Sequence, residues 1–363
     1  MIRWRAGEVT RVRREWAGSV ELEVRLDDPE GTCRALAYPT LVGCPEPGDR
    51  VLLNTTALAM GLGTGGYAFV AAIPSRTPED PRGLGHLVKA RYTPLQVTVE
   101  GVEEQGSPHH ESLKNADDVS LMPVVVADLH SALPAVVAGL LCERPGVRVV
   151  YVMTDGGALP LWFSRTVAAL RAADAITGAV TTGQAFGGDL EAVTVHTGLL
   201  AARHVLNADV AVVTQGPGNL GTDTRWGFSG AAAGESVNAA GVLGGRPVAT
   251  LRVSEADPRE RHRGVSHHSL TAYGRVAVAR ADVVVPELTG AFGARVAGQA
   301  AALAERHTLV RVPVDGLEDA LRASPVRLST MGRGLDEDPA YFLAAAAAGR
   351  HAARLLTDTT ASV

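Results

Sequence analysis

Lysine is nearly missing from this chain: among 34 basic residues only Lys89 and Lys114 are lysines, and arginine supplies the rest. A GC-rich coding sequence produces that bias as readily as a need for guanidinium groups does, so arginine abundance alone identifies no ligand. A basic surplus is missing as well. The net charge of −5 excludes a general nucleic-acid binder, which would carry an excess of positive charge. Cysteine is scarce: Cys33, Cys44 and Cys142 are odd in number, form no CxxC pair, and suit a reducing compartment. Cys142, inside an alanine-rich stretch, reads as core. Residues Met1–Gly18 are charged throughout and carry no secretory signal, so a cytoplasmic protein is expected. Long apolar runs are also missing. Ala132–Cys142 and Phe342–Gly349 are both too short to span a bilayer, which leaves no membrane role.

What is present is a globular composition rich in turns, with 46% apolar residues, 20% charged residues, 40 glycines and 20 prolines. At 363 residues the chain suits one large domain and a smaller one. Gly7–Val12, Ser19–Leu26, Cys33–Ala37, Arg50–Asn54 and Tyr67–Ala72 read as short strands. Turns at Asp28–Gly31 and Glu46–Asp49 punctuate them, and the set predicts a small β-barrel. Gly61–Gly66 reads as a hinge loop and Pro74–Gly85 as a polar connector. His86–Arg91 and Leu95–Val102 are strand-like links from the barrel to the main sheet, and Ser107 is placed to cap a short helix through Asp118.

From Leu121 onward strands and helices alternate. The strands are continuous valine and alanine runs, as strands buried on both faces of a parallel sheet require. The expected fold is therefore α/β: an N-terminal small β-barrel over residues 1–85, then a doubly wound, mostly parallel, Rossmann-like domain over residues 86–363.

Five strands end in polar residues that a core would not choose. They lead into Asp128-Leu129-His130, Thr154-Asp155-Gly156, Thr181–Gln184, Gln215 with the glycine loop, and Ser254–Asp257. In a parallel sheet these ends share one edge, where such folds bind ligands. The loop Gly216-Pro217-Gly218-Asn219-Leu220-Gly221 matches G-x-G-x-x-G after a strand. Pro217 cannot donate an N–H, however, and the first acid after the next strand, Glu255, lies 34 residues past Gly221 rather than about 20. The looser reading is that Gly216, Gly218, Asn219, Gly221 and Thr222 cradle an anion, with Arg225 nearby. The alternative is a tight connection in which glycines only permit close packing.

Arg259–His268 packs three arginines and three histidines into ten residues. Arg261 and Arg263 can pair with carboxylate or phosphate, and His267 or His268 can move protons or ligate a metal. Since neighbouring side chains diverge, one of the two histidines is expected to serve the site. Ser266 is placed to cap the next helix. Asp128, His130 and Asp155 offer a mixed oxygen and nitrogen set for zinc, manganese or iron, completed by His267 or His268. No HExxH or other compact metal signature accompanies them, and either aspartate can equally cap a helix. Ser229 lies too far past its strand for a nucleophile elbow. His196 and His204 read as packed or surface residues, and His109 and His110 sit at a helix start, with a catalytic role as the minor alternative.

The stretches Ala127–Pro134, Val152–Pro160, Gln215–Gly230 and Gly264–Thr271 resemble a bacterial family of unknown function found in actinobacteria and other Gram-positive lineages. The resemblance extends over most of the chain, including the segment around Gly48–Phe69. It implies a bacterial cytosolic protein and carries no catalytic assignment.

The residues themselves point to a hydrolase- or lyase-type enzyme acting on a small anionic metabolite, with phosphorylated compounds among the candidates. Gly218–Thr222 and Arg225 would hold the anion, Arg261 or Arg263 would neutralise developing charge, and His267 or His268, oriented by Asp128 or Asp155, would act as acid, base or metal ligand. The rival reading is a non-catalytic regulatory or scaffold protein that senses a nucleotide or metabolite and contacts a partner through its barrel. The alanine-rich helix Leu343–Leu356 offers a surface for a homo-oligomer.

Overall fold

The structure is a computed structural model that describes every residue except 64, 81, 82, 84 and 357–363. Those positions, which include one residue of the expected hinge loop and three of the connector, lie outside the described residues. Contacts group Met1–Val99 with Trp162–Ala168 into one compact unit, and Glu100–Leu161 with Ala169 onward into a second.

The first unit is a closed five-stranded barrel. Its strands are β1 (Trp4–Trp16), β2 (Ser19–Leu26), β3 (Gly31–Ala37), β4 (Arg50–Asn54) and β5 (Ala68–Ala72), in the order β1-β2-β3-β5-β4. One-turn helices α1 (Pro39–Val42) and α2 (Thr56–Ala59) sit between strands. Alternation turns Val9, Val20, Leu22, Val24, Val51 and Leu53 inward, where they form the barrel core with Ala35 and Val70. Trp16 Nε1 and Ser19 Oγ both donate to the Trp162 carbonyl at 2.7 Å, which ties the segment Trp162–Ala168 to this unit. Strands β6 (Leu87–Lys89) and β7 (Val97–Val99) pair only with each other, as a separate antiparallel ribbon, where the sequence suggested links to the larger sheet.

The second unit is an eight-stranded, all-parallel sheet in the order β11-β10-β9-β12-β8-β13-β16-β17. Its strands are β8 (Pro123–Val126), β9 (Val149–Thr154), β10 (Gly178–Thr181), β11 (Leu190–Glu191), β12 (Val210–Gln215), β13 (Arg246–Thr250), β16 (Asp282–Pro286) and β17 (Thr308–Val312). Every residue of β8, β10 and β12 is buried, as their apolar runs demanded. Helices cover the sheet: α4 (Leu133–Glu143), α6 (Val195–His204), α7 (Ala232–Val242), α9 (Gly290–Ala300), α10 (Leu317–Arg322) and α11 (Pro339–Leu355), with the short α3 (His110–Leu113) and α5 (Arg165–Ala172) also present. The chain is thus an N-terminal barrel followed by a Rossmann-like α/β unit.

Several local readings need correction. Ser107 Oγ accepts the His109 N–H at 3.1 Å, but only one helical turn follows instead of a helix to Asp118. Helix α11 is buried at most of its positions and packs against α4, so the alanine surface offered for self-association is occupied within the chain. Cys142 is exposed because it lies in the last turn of α4. The stretch read as one strand, Val248–Val253, breaks after Thr250. Val253–Ser254 (β14) then pairs antiparallel with Gly264–Val265 (β15), outside the main sheet. That ribbon folds the arginine- and histidine-rich loop back over the sheet edge.

Candidate functional site

The chain crosses from β12, on one side of the central β8, to β13 on the other. A ligand crevice belongs at the carboxyl ends of strands around such a switch point. Asp128 follows β8 there and is buried. Its Oδ2 has no hydrogen-bond partner, and burial raises its pKa above the usual carboxylate range despite the nearby Arg252. Gln215, which ends β12, donates from Nε2 to the Asp128 carbonyl (2.7 Å) and to Asn219 Oδ1 (2.9 Å), while its own Oε1 is buried without a partner. Tyr273 donates towards the carbonyls of Val126 (3.0 Å) and Thr250 (3.2 Å), bridging the ends of β8 and β13.

The β14–β15 ribbon then brings in the histidines. Ser266 caps α8 (His267–Thr271), its Oγ accepting the His268 N–H at 3.2 Å, as the sequence led us to expect. The helix begins at His267 and continues as a π-helical turn over Ala272–Val276. The same Ser266 Oγ lies 2.8 Å from His262 Nδ1. As a result His262, His267 and His268 converge, with one ring nitrogen from each lying within 4.8 Å of the others. The loop before the helix is irregular enough that both adjacent histidines join the group, where only one was expected to.

The His268 ring stacks flat on Phe228, centroids 3.8 Å apart at 3°. Its Nδ1 is 3.3 Å from Arg252 Nη1 and 3.9 Å from Asp128 Oδ2. Burial, reinforced by Arg252, pushes the pKa of His262 down to about 3 and that of His268 to about 2; burial, with Arg261, also lowers that of His267. Near neutral pH all three imidazoles are therefore uncharged. His267 Nε2 is buried and has no partner.

A buried ion network fixes Arg252. Asp257 accepts from Arg259 at 2.9 Å and Arg333 at 3.3 Å, with Arg252 3.8 Å away. Burial would raise the Asp257 pKa, but the Arg259 hydrogen bonds prevail and hold it well below the usual range. Asp338, ahead of α11, accepts from Arg333 (3.0 Å) and Ser254 Oγ (2.6 Å).

The glycine loop is partly tied up by its own hydrogen bonds. Leu220 N–H is taken by Ser229 Oγ (3.0 Å) and Thr222 N–H by the Gly227 carbonyl (2.7 Å), so two amides of the expected anion cradle are already committed. A Cβ on Gly216 would collide with the Ala158 backbone, which is the close-packing role. Gly218 and Gly221 lie open on the same loop, and Asn219 knots it by accepting from Gln215, Ser229 and Gly230. The loop instead projects Asp223–Trp226 into a cleft of about 860 Å³. Arg225, Trp226, Arg261, His267, Arg275 and Arg306 line that cleft. Arg261 pairs with Asp223 at 2.8 Å, whereas Arg225, Arg275 and Arg306 have no ion pair among the described residues.

Other expected site residues fall elsewhere. Asp155 accepts Gln184 N–H at 2.9 Å, holding the β10 turn, and His130 Nδ1 meets Tyr151 Oη at 2.9 Å in the interior. The set Asp128, His130 and Asp155 is therefore not gathered as metal ligands among the described residues: Asp155 follows β9, and His130, in the same turn after β8 as Asp128, is engaged by Tyr151. Arg263 lies off the cleft beside Glu260, and its carbonyl accepts from Arg295.

A comparison with known families matches residues 34–349 to the family described as "Protein of unknown function (DUF3866)". The chain belongs to that family. No curated protein matches it. Membership agrees with the stretches singled out in the sequence and assigns no chemistry, so the geometry must carry the functional reading. Among the described residues no helix is long and apolar enough to cross a membrane.

The sequence made His262 visible as one of three clustered histidines but gave no reason to select it. Asp257 stood out only as one polar residue at a strand end, and Arg252, Phe228 and Arg333 carried no signal: a buried arginine and a stacked phenylalanine find their place through partners distant in sequence.

Proposed function

We propose that this chain is an enzyme of hydrolase or lyase type that takes a small anionic metabolite, phosphorylated in the simplest case, in the arginine-lined cleft. The observation that carries this reading is the meeting of two features at His267: an open cleft with three unpaired arginines, and a buried group of uncharged imidazoles backed by Asp128. The cleft volume is that of a small-molecule site. Arg225, Arg275 and Arg306 supply charge for the anion, and Trp226 supplies a flat apolar wall. Behind them, the imidazoles and Asp128 are the groups able to act on a bound molecule. Redox chemistry fits less well, since the dinucleotide pattern is broken at Pro217. The three free cysteines suit a cytoplasmic setting, and the net negative charge gives no support to nucleic acid as partner.

The test is a thermal-shift screen of the full chain with inorganic phosphate and phosphorylated metabolites, followed by turnover assays on the hits. Expected are stabilising hits that weaken at least tenfold in an Arg225→Ala/Arg306→Ala variant. Turnover should vanish in His267→Ala while binding persists. Hits indifferent to the two arginines would refute the cleft. Binding without turnover in the wild-type chain would favour the sensor reading instead.

A further inference from the structure

We propose that His262, His267 and His268 together hold one divalent transition-metal ion, zinc by preference, with the Asp128 carboxylate beside it. Three imidazoles leaving a fourth position open is the donor set of a catalytic zinc site. All-nitrogen donors of this kind suit zinc, copper, iron or nickel and disfavour manganese, which prefers oxygen. The three nitrogens lie within 4.8 Å of one another. Zinc bonded at about 2.0–2.1 Å needs them roughly 3.4 Å apart, so the rings must close in by up to about 1.4 Å.

Each histidine shows the environment such a role needs. His267 Nε2 is buried with no partner, an arrangement that a packed core histidine avoids and a ligand awaiting its ion requires. His262 has Ser266 Oγ at 2.8 Å from Nδ1, so a proton held there leaves Nε2 as the donor. On His268, Arg252 Nη1 now faces Nδ1 at 3.3 Å and can only donate to it. Ligation through Nε2 would therefore turn Arg252 aside and draw in the otherwise unpartnered Asp128 Oδ2, 3.9 Å away, to accept the proton then held on Nδ1. Three cations act against this group, Arg252 with Arg259 and Arg261, and Asp257 is the counter-charge, 3.8 Å from Arg252 and 2.9 Å from Arg259. The ion would sit where His267 meets the cleft, able to polarise a bound oxygen or activate water.

This inference rests on the proposed function only for what the ion acts upon; occupancy itself can be measured with no substrate. The experiment strips the full chain with a chelator and titrates it with Co²⁺, reading the visible bands of a low-coordinate nitrogen site and stoichiometry by elemental analysis. Expected is one equivalent per chain, displaced by Zn²⁺. Uptake should be lost in His262→Gln and His267→Gln, weakened roughly 10–100-fold in Asp128→Asn, and unchanged in Arg225→Ala/Arg306→Ala. Absence of bands with the wild-type chain would overturn the site, as would uptake that survives both histidine substitutions. Since the arginine variant keeps the metal, failure of the anion cleft and failure of the metal site give different results.

Discussion

Substituting Gly139 by alanine sets helix propensity directly against packing. Gly139 lies inside α4, where alanine is favoured over glycine by about 0.8–1 kcal/mol from propensity alone. The structure predicts the opposite sign. A Cβ there would lie 2.7 Å from the carbonyl carbon of Ala346 and 2.9 Å from its Cα, where ordinary contact starts at 3.4 Å. The obstacle is backbone of α11 and not the tip of a side chain, so the two helices must move apart. Gly349 on α11 meets the backbone of Val136 and Leu140 in the same way, so the approach is reciprocal and cannot be relieved from one side. Overpacking of this sort costs about 1–3 kcal/mol, and the upper end applies because α11 is buried along most of its length. Offsetting about 1 kcal/mol of propensity leaves Gly139→Ala destabilised by about 2 kcal/mol, a fall in Tm of about 4–8 °C for a unit of this size. Gly298, inside α9, has nothing within 4 Å of an added Cβ, and Gly298→Ala is expected to raise Tm slightly. Thermal melts followed by circular dichroism decide the matter. A Gly139→Ala chain melting at or above the wild-type temperature would refute the packing argument.

Two further perturbations test the charge arrangement. Asp257→Ala leaves Arg252, Arg259 and Arg333 without their common carboxylate and should cost about 3–5 kcal/mol in denaturant titrations. Because the folded-state pKa of Asp257 lies below its unfolded value, its contribution is complete above about pH 4 and disappears as pH falls through the folded value; a wild-type acid-unfolding profile indistinguishable from that of the variant would contradict this. His130 loses stability in the same direction but over a higher pH range, since burial pushes its pKa down to about 4 and the fold keeps the neutral ring. The unfolded chain gains the proton near pH 6.5, so stability should drop by about 3 kcal/mol between pH 6.5 and 4, and His130→Gln should flatten that part of the curve.

The architecture was legible in the order of residues. Alternation at Val20, Leu22 and Val24 permits only half-buried barrel strands, and the unbroken apolar runs at Pro123–Val126 and Val210–Gln215 permit only strands covered on both faces. Periodicity is a local property, and local properties survive reading one residue at a time. The polar strand ends were legible for the same reason, and they led to Asp128, Gln215 and the histidine cluster. Which of these residues meet depended on the folded chain. His262 joins His267 and His268 because Ser266 touches one and caps the other's helix, and because β14 leaves the sheet to pair with β15. Asp155 and His130 stay apart from them because their turns are held by Gln184 and Tyr151. The glycine pattern marked a loop but not which of its amides are free, since an amide's availability depends on what accepts it, and Ser229 and Gly227 already take two. Convergence in space is set by hydrogen bonds between residues far apart in the chain, and no spacing along one strand encodes them.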